Sequence, residues 1–217
     1  MSARPSKYTF SEELIHAISH GLGALLALVG LVVLVVAAAV RCEGATPVVA
    51  CSIYGAFMVL MFVTSTLYHS FPWPTVKRVF RVLDHEMIFL MIAGTYTPFV
   101  LITLQGAQSW TLFGLVWGLA AVGLVFEGFF TGRFKVVSTL LYVLMGWVIV
   151  FALKPLAEAM PAAGIRWLWA GGLCYTAGAG VYLFKRVRYH HAVWHLLVLA
   201  GAACHYFAIL WHVLPPP

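Results

Sequence analysis

The sequence predicts an all-α, polytopic membrane protein: a bundle of seven transmembrane helices with its N-terminus in the cytoplasm and its C-terminus outside. Three observations predict it. Of 217 residues, 63% are hydrophobic and 9% charged, against roughly 45–50% apolar and about 25% charged in soluble domains. Apolar runs of membrane-crossing length recur along the chain, cut by charge, Pro and Gly clusters. Lys and Arg fall mostly in alternate breaks between those runs. A water-soluble globule is excluded.

Span 1, Ser19–Val40, follows the acidic pair Glu12 and Glu13. It is too long for a signal-peptide core and is therefore retained. Residues 1–18 form a short cytoplasmic segment before a membrane domain over 19–213. Span 2 is Pro47–Tyr68, after the break Arg41–Thr46, and span 3 is His85–Leu104, after the break Ser70–Asp84. That second break carries Phe71-Pro-Trp-Pro74, an interfacial loop anchored by Trp73. Span 4, Trp110–Phe130, follows Gln105–Ser109, and span 5, Val136–Leu153, follows Thr131–Lys135. Span 6, Ile165–Phe184, follows Lys154–Gly164, and span 7, Ala192–Val213, follows Lys185–His191. Gly114, Gly118, Gly171, Gly172, Gly178 and Gly180 are small residues of the kind that allow helices to approach closely.

With seven spans, the N-terminus and the 2–3, 4–5 and 6–7 loops share one face and hold ten basic residues: Arg4, Lys7, Lys77, Arg78, Arg81, Arg133, Lys135, Lys185, Arg186 and Arg188. The opposite face holds three, Arg41, Lys154 and Arg166. The basic face is the cytoplasmic one. The net charge of +6 then anchors the protein beside anionic headgroups, with no nucleic-acid partner. Four cysteines, Cys42, Cys51, Cys174 and Cys204, form neither a disulfide framework nor a CxxC pair. No phosphate-binding or dinucleotide-binding loop is present.

Nine histidines stand out in so apolar a chain, because ionisable groups in membrane segments are costly and mark function. His191-Ala-Val-Trp-His195, at i and i+4, puts two imidazoles on one helix face, able to share a metal. Ser65-Thr-Leu-Tyr-His69 sets a hydroxyl one turn from an imidazole, and Asp84 precedes His85 at the entry to span 3. Under the topology above, His69, Asp84, His191 and His195 all lie at cytoplasmic helix ends, as a shared site requires. Three histidines with an open fourth position are the pattern of a catalytic zinc site. Asp84 would hold the water and accept its proton, and it would also cap the N-terminus of span 3. Ser65 would donate to that water or to a substrate carbonyl, support an imidazole, or bond its own helix backbone.

His16, His85, His190 and His212 read as interfacial polar residues. His205, roughly 15 Å beyond His195 along the helix, is placed mid-membrane, hydrogen-bonded to a neighbouring helix. His20 lines the site without being a ligand. Glu127 is expected to pair with Arg133 or Lys135 by snorkelling, or to face a substrate cavity.

Glu12-Glu-Leu near His20-Gly-Leu-Gly, Ser65-Thr-Leu-Tyr-His69, Leu83-Asp-His-Glu-Met-Ile-Phe-Leu with Ala93-Gly-Thr-Tyr-Thr-Pro98, and His191-Ala-Val-Trp-His195 followed by His205-Tyr-Phe resemble the bacterial hemolysin III family. That family is related to the progestin and adipoQ receptors and to a wider group of membrane metal-dependent hydrolases that includes alkaline ceramidases. The resemblance covers essentially the whole chain. It implies a seven-helix bundle with zinc near the cytoplasmic face, the ligands carried onto His69, His191 and His195, Asp84 near the metal-bound water and Ser65 as the serine of the S-x-x-x-H motif. It differs from the adipoQ receptors in having only about 18 residues before span 1.

The sequence thus points to an inner (plasma) membrane zinc protein. Its expected activity is hydrolysis of an amide or ester bond of a membrane lipid near the cytoplasmic leaflet, with a fatty acid as product and a role in lipid homeostasis. The alternative is non-enzymatic: a zinc-containing regulator or receptor-like protein, or a pore-forming cytolysin.

Overall fold

The computed structural model describes residues 8–104, 106–184 and 189–216. Arg4, Lys7, Lys185, Arg186 and Arg188 of the charge pattern lie outside them. Among the described residues the chain is all helical.

Helix α1 spans Phe10–Arg41 and begins nine residues before the predicted start of span 1. The cause is local. Thr9 and Glu12 form a reciprocal capping box, with the Glu12 amide donating to Thr9 Oγ1 at 3.3 Å and the Thr9 amide donating to Glu12 Oε2 at 2.9 Å, which starts the helix there. Helix α2, Thr46–Ser70, carries Pro47 in its first turn.

Helix α3 spans Pro74–Pro98 and opens on a proline, whose fixed φ suits a first helical position. The predicted break Ser70–Asp84 is therefore mostly helix. Asp84 sits ten residues inside α3 and caps nothing, because the unpaired amides of that helix end lie at Pro74. Pro98 lacks an N–H, and the helix widens into a π-type turn over Phe99–Thr103.

Helix α4 spans Gly106–Phe130 and α5 spans Lys135–Trp147. A tight turn over Val148–Ala152 joins α5 to the short α6, Leu153–Ala159, so much of the predicted break Lys154–Gly164 is helical. Tyr96 holds this junction: its hydroxyl donates to the carbonyls of Met145 and Gly146 and accepts from the Ile149 amide at 2.7 Å. Helix α7 spans Ala162–Leu183, and α8, His190–Ala208, ends in a second wide turn over Ile209–Val213.

Six stretches are long and apolar enough to cross a membrane: Phe10–Arg41, Thr46–Ser70, Pro74–Thr103, Gly106–Phe130, Lys135–Ala159 and His190–Val213. Helix α7 is long enough at 22 residues, but Arg166 and its Gly, Trp and Tyr residues leave it less apolar than those six.

Helices adjacent in sequence pack side by side, and α1 also lies against α8. A Cβ at Gly55 would run into Leu31 and one at Gly201 would meet Tyr175 at 2.7 Å, so glycine permits these approaches. Gly171 and Gly178 serve the same purpose beside His205 and Trp194. Gly114, Gly118 and Gly180 do not, since among the described residues nothing lies within 4 Å of a Cβ there.

Polar ties collect the helix ends. Lys77 donates to Glu13 at 2.7 Å, Arg81 to the Thr131 carbonyl at 2.9 Å and Lys135 to the Tyr182 carbonyl at 2.6 Å. The start of α1, the α2–α3 and α4–α5 connections and the end of α7 therefore share one end of the bundle. At the other end Arg41 reaches the Leu210 carbonyl, and Gly164 packs on His212.

Candidate metal centre

Three helix ends build the site. The last turns of α2 set Ser65 and His69 on one face, and the first turns of α8 do the same for His191 and His195. Because α1 starts at Phe10, its first turns add Glu13, His16 and His20 on a third face. His16, His20, His69, His191 and His195 are all buried.

His191 Nε2 lies 3.3 Å from His69 Nε2 and 3.2 Å from His195 Nε2. Hydrogen bonding behind the rings says what those nitrogens carry. The Ser19 hydroxyl donates to the His16 carbonyl at 2.9 Å, so its oxygen accepts from His195 Nδ1 at 3.0 Å. His69 Nδ1 donates to Glu13 Oε2 at 2.6 Å, while Glu13 Oε1 accepts from Lys77. With both Nδ1 atoms protonated, Nε2 of His69 and of His195 each present a lone pair. One N–H on His191 can point squarely at only one of them, whereas a cation could sit among the nitrogens of His16, His69 and His191, which lie within 4.8 Å of one another, a group that holds His16 and not the expected His195. Tetrahedral Zn–N bonds of roughly 2.0–2.1 Å put neighbouring nitrogens about 3.3 Å apart. The donor set therefore fits a metal, and imidazoles backed by a carboxylate and a hydroxyl are the usual support for one.

His16 belongs to the same cluster. One nitrogen each from His16, His69 and His191 lie within 4.8 Å of one another, and neither His16 nitrogen has a hydrogen-bond partner. It is buried at 1% exposure, not interfacial. Tyr8 covers the group, stacked on His191 at 5.1 Å and edge-on to His16 at 5.0 Å. Burial pushes its phenol pKa up, and the nearby Tyr182 adds to this, so Tyr8 stays protonated.

A cavity of about 130 Å³ starts at His191 and His195 and runs inward to Tyr96, Trp147 and His205. Asp84 and Ser65 both line it, the Ser65 hydroxyl beside the Asp84 carboxyl. His20 also lines it, stacked on His195 at 3.6 Å. The five residues singled out from sequence, His69, His191, His195, Asp84 and Ser65, are thus gathered at one end of the bundle.

Two other expectations are corrected. His205 Nδ1 donates to the Gly201 carbonyl of its own helix at 2.8 Å and stacks on Tyr175 of α7; a helix carbonyl one turn back is the nearest acceptor. Glu127 is fully buried and pairs with neither Arg133 nor Lys135. It accepts from the Tyr142 hydroxyl at 3.2 Å, with His85 Nδ1 at 3.5 Å, because α3 and α5 lie over that face of α4.

The family model described as Haemolysin-III related matches residues 8–206. This chain belongs to the haemolysin-III related family. It is 46% identical to Hemolysin-3 of Bacillus cereus over 204 residues, 94% of this chain and 93% of that protein. It is 40% identical to the Hemolysin-3 homolog of Bacillus subtilis (strain 168) over 210 residues, 97% and 98% of the two chains. Monocyte to macrophage differentiation factor of Homo sapiens is more distant, at 31% over 170 residues, 75% of this chain and 69% of that one. This haemolysin-III related protein is a multi-pass protein of the cell membrane.

Sequence reasoning missed Glu13, His16 and Ser19 as parts of the centre. The signal was Thr9-Phe-Ser-Glu12, a capping-box pattern: a helix started there puts residues 13, 16 and 20 on one face. If the cluster holds a metal, Glu13→Gln is expected to weaken its binding about 10–100-fold, the usual cost of losing an outer partner of a metal ligand. Titration against a competing chelator reads that change.

Proposed function

We propose that this protein is a zinc-dependent hydrolase acting on an amide or ester bond of a membrane lipid near the cytoplasmic leaflet. One observation carries the reading: imidazoles of α2 and α8 converge at 3.2–3.3 Å at the head of the cavity that Asp84 and Ser65 line. His69, His191 and His195 would hold the ion. A zinc ion there supplies Lewis acidity that polarises a carbonyl and makes water a nucleophile near neutral pH. Asp84 takes the proton of the attacking water and passes it to the leaving amine or alkoxide, giving a fatty acid and a free amine or alcohol. Ser65 donates a hydrogen bond to the substrate carbonyl. The apolar wall, with Met61, Ile88, Met91 and Val198, holds the acyl chain.

We read α7 as the seventh span and the metal end as cytoplasmic. Lys77, Arg81 and Lys135 tie into that end while Arg41 lies at the other, the bias that retains basic segments inside. A second reading, a regulator with structural metal, is favoured by the presence of His16 in the cluster, since structural zinc takes four protein ligands.

The test is the purified protein with a panel of amide- and ester-linked lipids. Bound zinc near one ion per chain, and fatty-acid release lost on chelation and restored by zinc, are the expected results. Undiminished release after full chelation removes the metal from the reaction; zinc without release from any lipid removes the hydrolase.

A further inference from the structure

We propose that the inner end of the cavity is a hydroxyl subsite, where Tyr175 and His205 recognise a hydroxyl group carried mid-way along an acyl chain. This rests on the reading above that the cavity holds an acyl chain with its carbonyl at the Asp84 end.

Hydrogen bonding singles out these two residues. The other polar side chains that line the inner half donate within the protein: Thr95 to the Met91 carbonyl at 2.7 Å, Thr176 to the Gly172 carbonyl at 2.8 Å, Trp147 Nε1 to Thr176 at 3.0 Å and Tyr96 to the end of α5. The Tyr175 hydroxyl is buried with no hydrogen-bond partner, an arrangement that costs stability until something pairs with it. His205 spends its Nδ1 proton on the Gly201 carbonyl, and a neutral imidazole protonated there keeps a lone pair on Nε2. A donor and an acceptor are thus carried by two rings stacked at 5.4 Å, 13° between planes. One ligand hydroxyl can accept from the first and donate to the second. The rings are held in place, because glycines at 171 and 201 let α7 and α8 close upon them; a Cβ at either would run into His205 or Tyr175.

The spacing sets where that hydroxyl falls. Along α8, Gly201, on which the Tyr175 ring lies, is roughly 9 Å from His195, and His205 is roughly 15 Å from it. An extended alkyl chain with C–C bonds of about 1.5 Å advances about 1.25 Å per carbon. The hydroxyl is therefore about seven to twelve carbons from the carbonyl. Beyond it the chain has somewhere to go: a second cavity of about 40 Å³ also reaches His205 and continues along Phe99, Leu153 and Leu168, an apolar wall suited to a hydrocarbon tail.

Displacement of a fluorescent fatty acid from the purified full-length protein tests this by binding alone, comparing 10-hydroxyoctadecanoic acid with octadecanoic acid. The hydroxylated acid is expected to bind the parent about tenfold more tightly, the net worth of one buried hydrogen bond. That preference should vanish in Tyr175→Phe, which keeps the ring and removes the donor, and fall in His205→Phe. Equal binding of the two acids by the parent, a comparison that depends on no variant folding, overturns the subsite; so does a preference that survives in both variants, or a parent that binds neither acid. A preference for the hydroxylated acid in a protein that releases fatty acid from no lipid keeps the subsite and removes only the hydrolase. Equal binding in a protein that does release fatty acid removes only the subsite.

Discussion

His191→Ala is expected to lower zinc affinity by more than about 100-fold, because loss of an outer-shell partner alone costs 10–100-fold and this change removes a ligand. His191 is the most exacting position to choose. Its Nε2 is the atom that stands 3.3 Å from His69 and 3.2 Å from His195, and it is also grouped with His16. Removing it takes away the one nitrogen that stands beside both the α2 imidazole and its partner on α8. Metal content after dialysis against a weak chelator, read beside far-UV helicity to confirm the fold, measures the effect. Fatty-acid release should disappear with the metal. Zinc retained at parental affinity would remove His191 from the centre.

Asp84→Asn is expected to separate the metal from the chemistry. The amide keeps the shape of the carboxyl, and Asp84 is hydrogen-bonded to none of the three imidazoles, so zinc content should match the parent. Turnover should fall about 10²–10⁴-fold, the usual contribution of a positioned proton acceptor. Equal turnover by parent and variant, at equal zinc, would show that the proton goes elsewhere. The two variants together form a contrast: one loses metal and reaction, the other the reaction alone. A regulator with structural zinc would show the first loss and have no second to measure.

The pairs Ser65/His69 and His191/His195 are legible in sequence because each lies within about one helical turn, where spacing alone decides that two side chains share a face. Membrane spans are legible for a similar reason: an apolar run can be recognised without knowing its neighbours. Helix starts were harder. Charge and Pro in Ser70–Asp84 read as a break, yet Pro74 is a helix opener, and the charged residues Lys77, Arg78 and Arg81 ride on a helical turn. Asp84 accordingly moved from a helix cap to a cavity wall. Glu127 shows the same limit, since its partners Tyr142 and His85 come from two other helices and nothing in its own segment indicates them.

The amino-acid sequence by itself determined that this is a helical membrane protein, and that two imidazoles of one helix and one of another end at the same depth, because composition and helical period act within each segment. Only the tertiary structure decided that α1 joins the cluster, bringing Glu13 to His69 across 56 positions and Ser19 to His195 across 176. Which face of a helix meets which neighbour is set by how whole helices rotate and pack against one another, and no single segment carries that information.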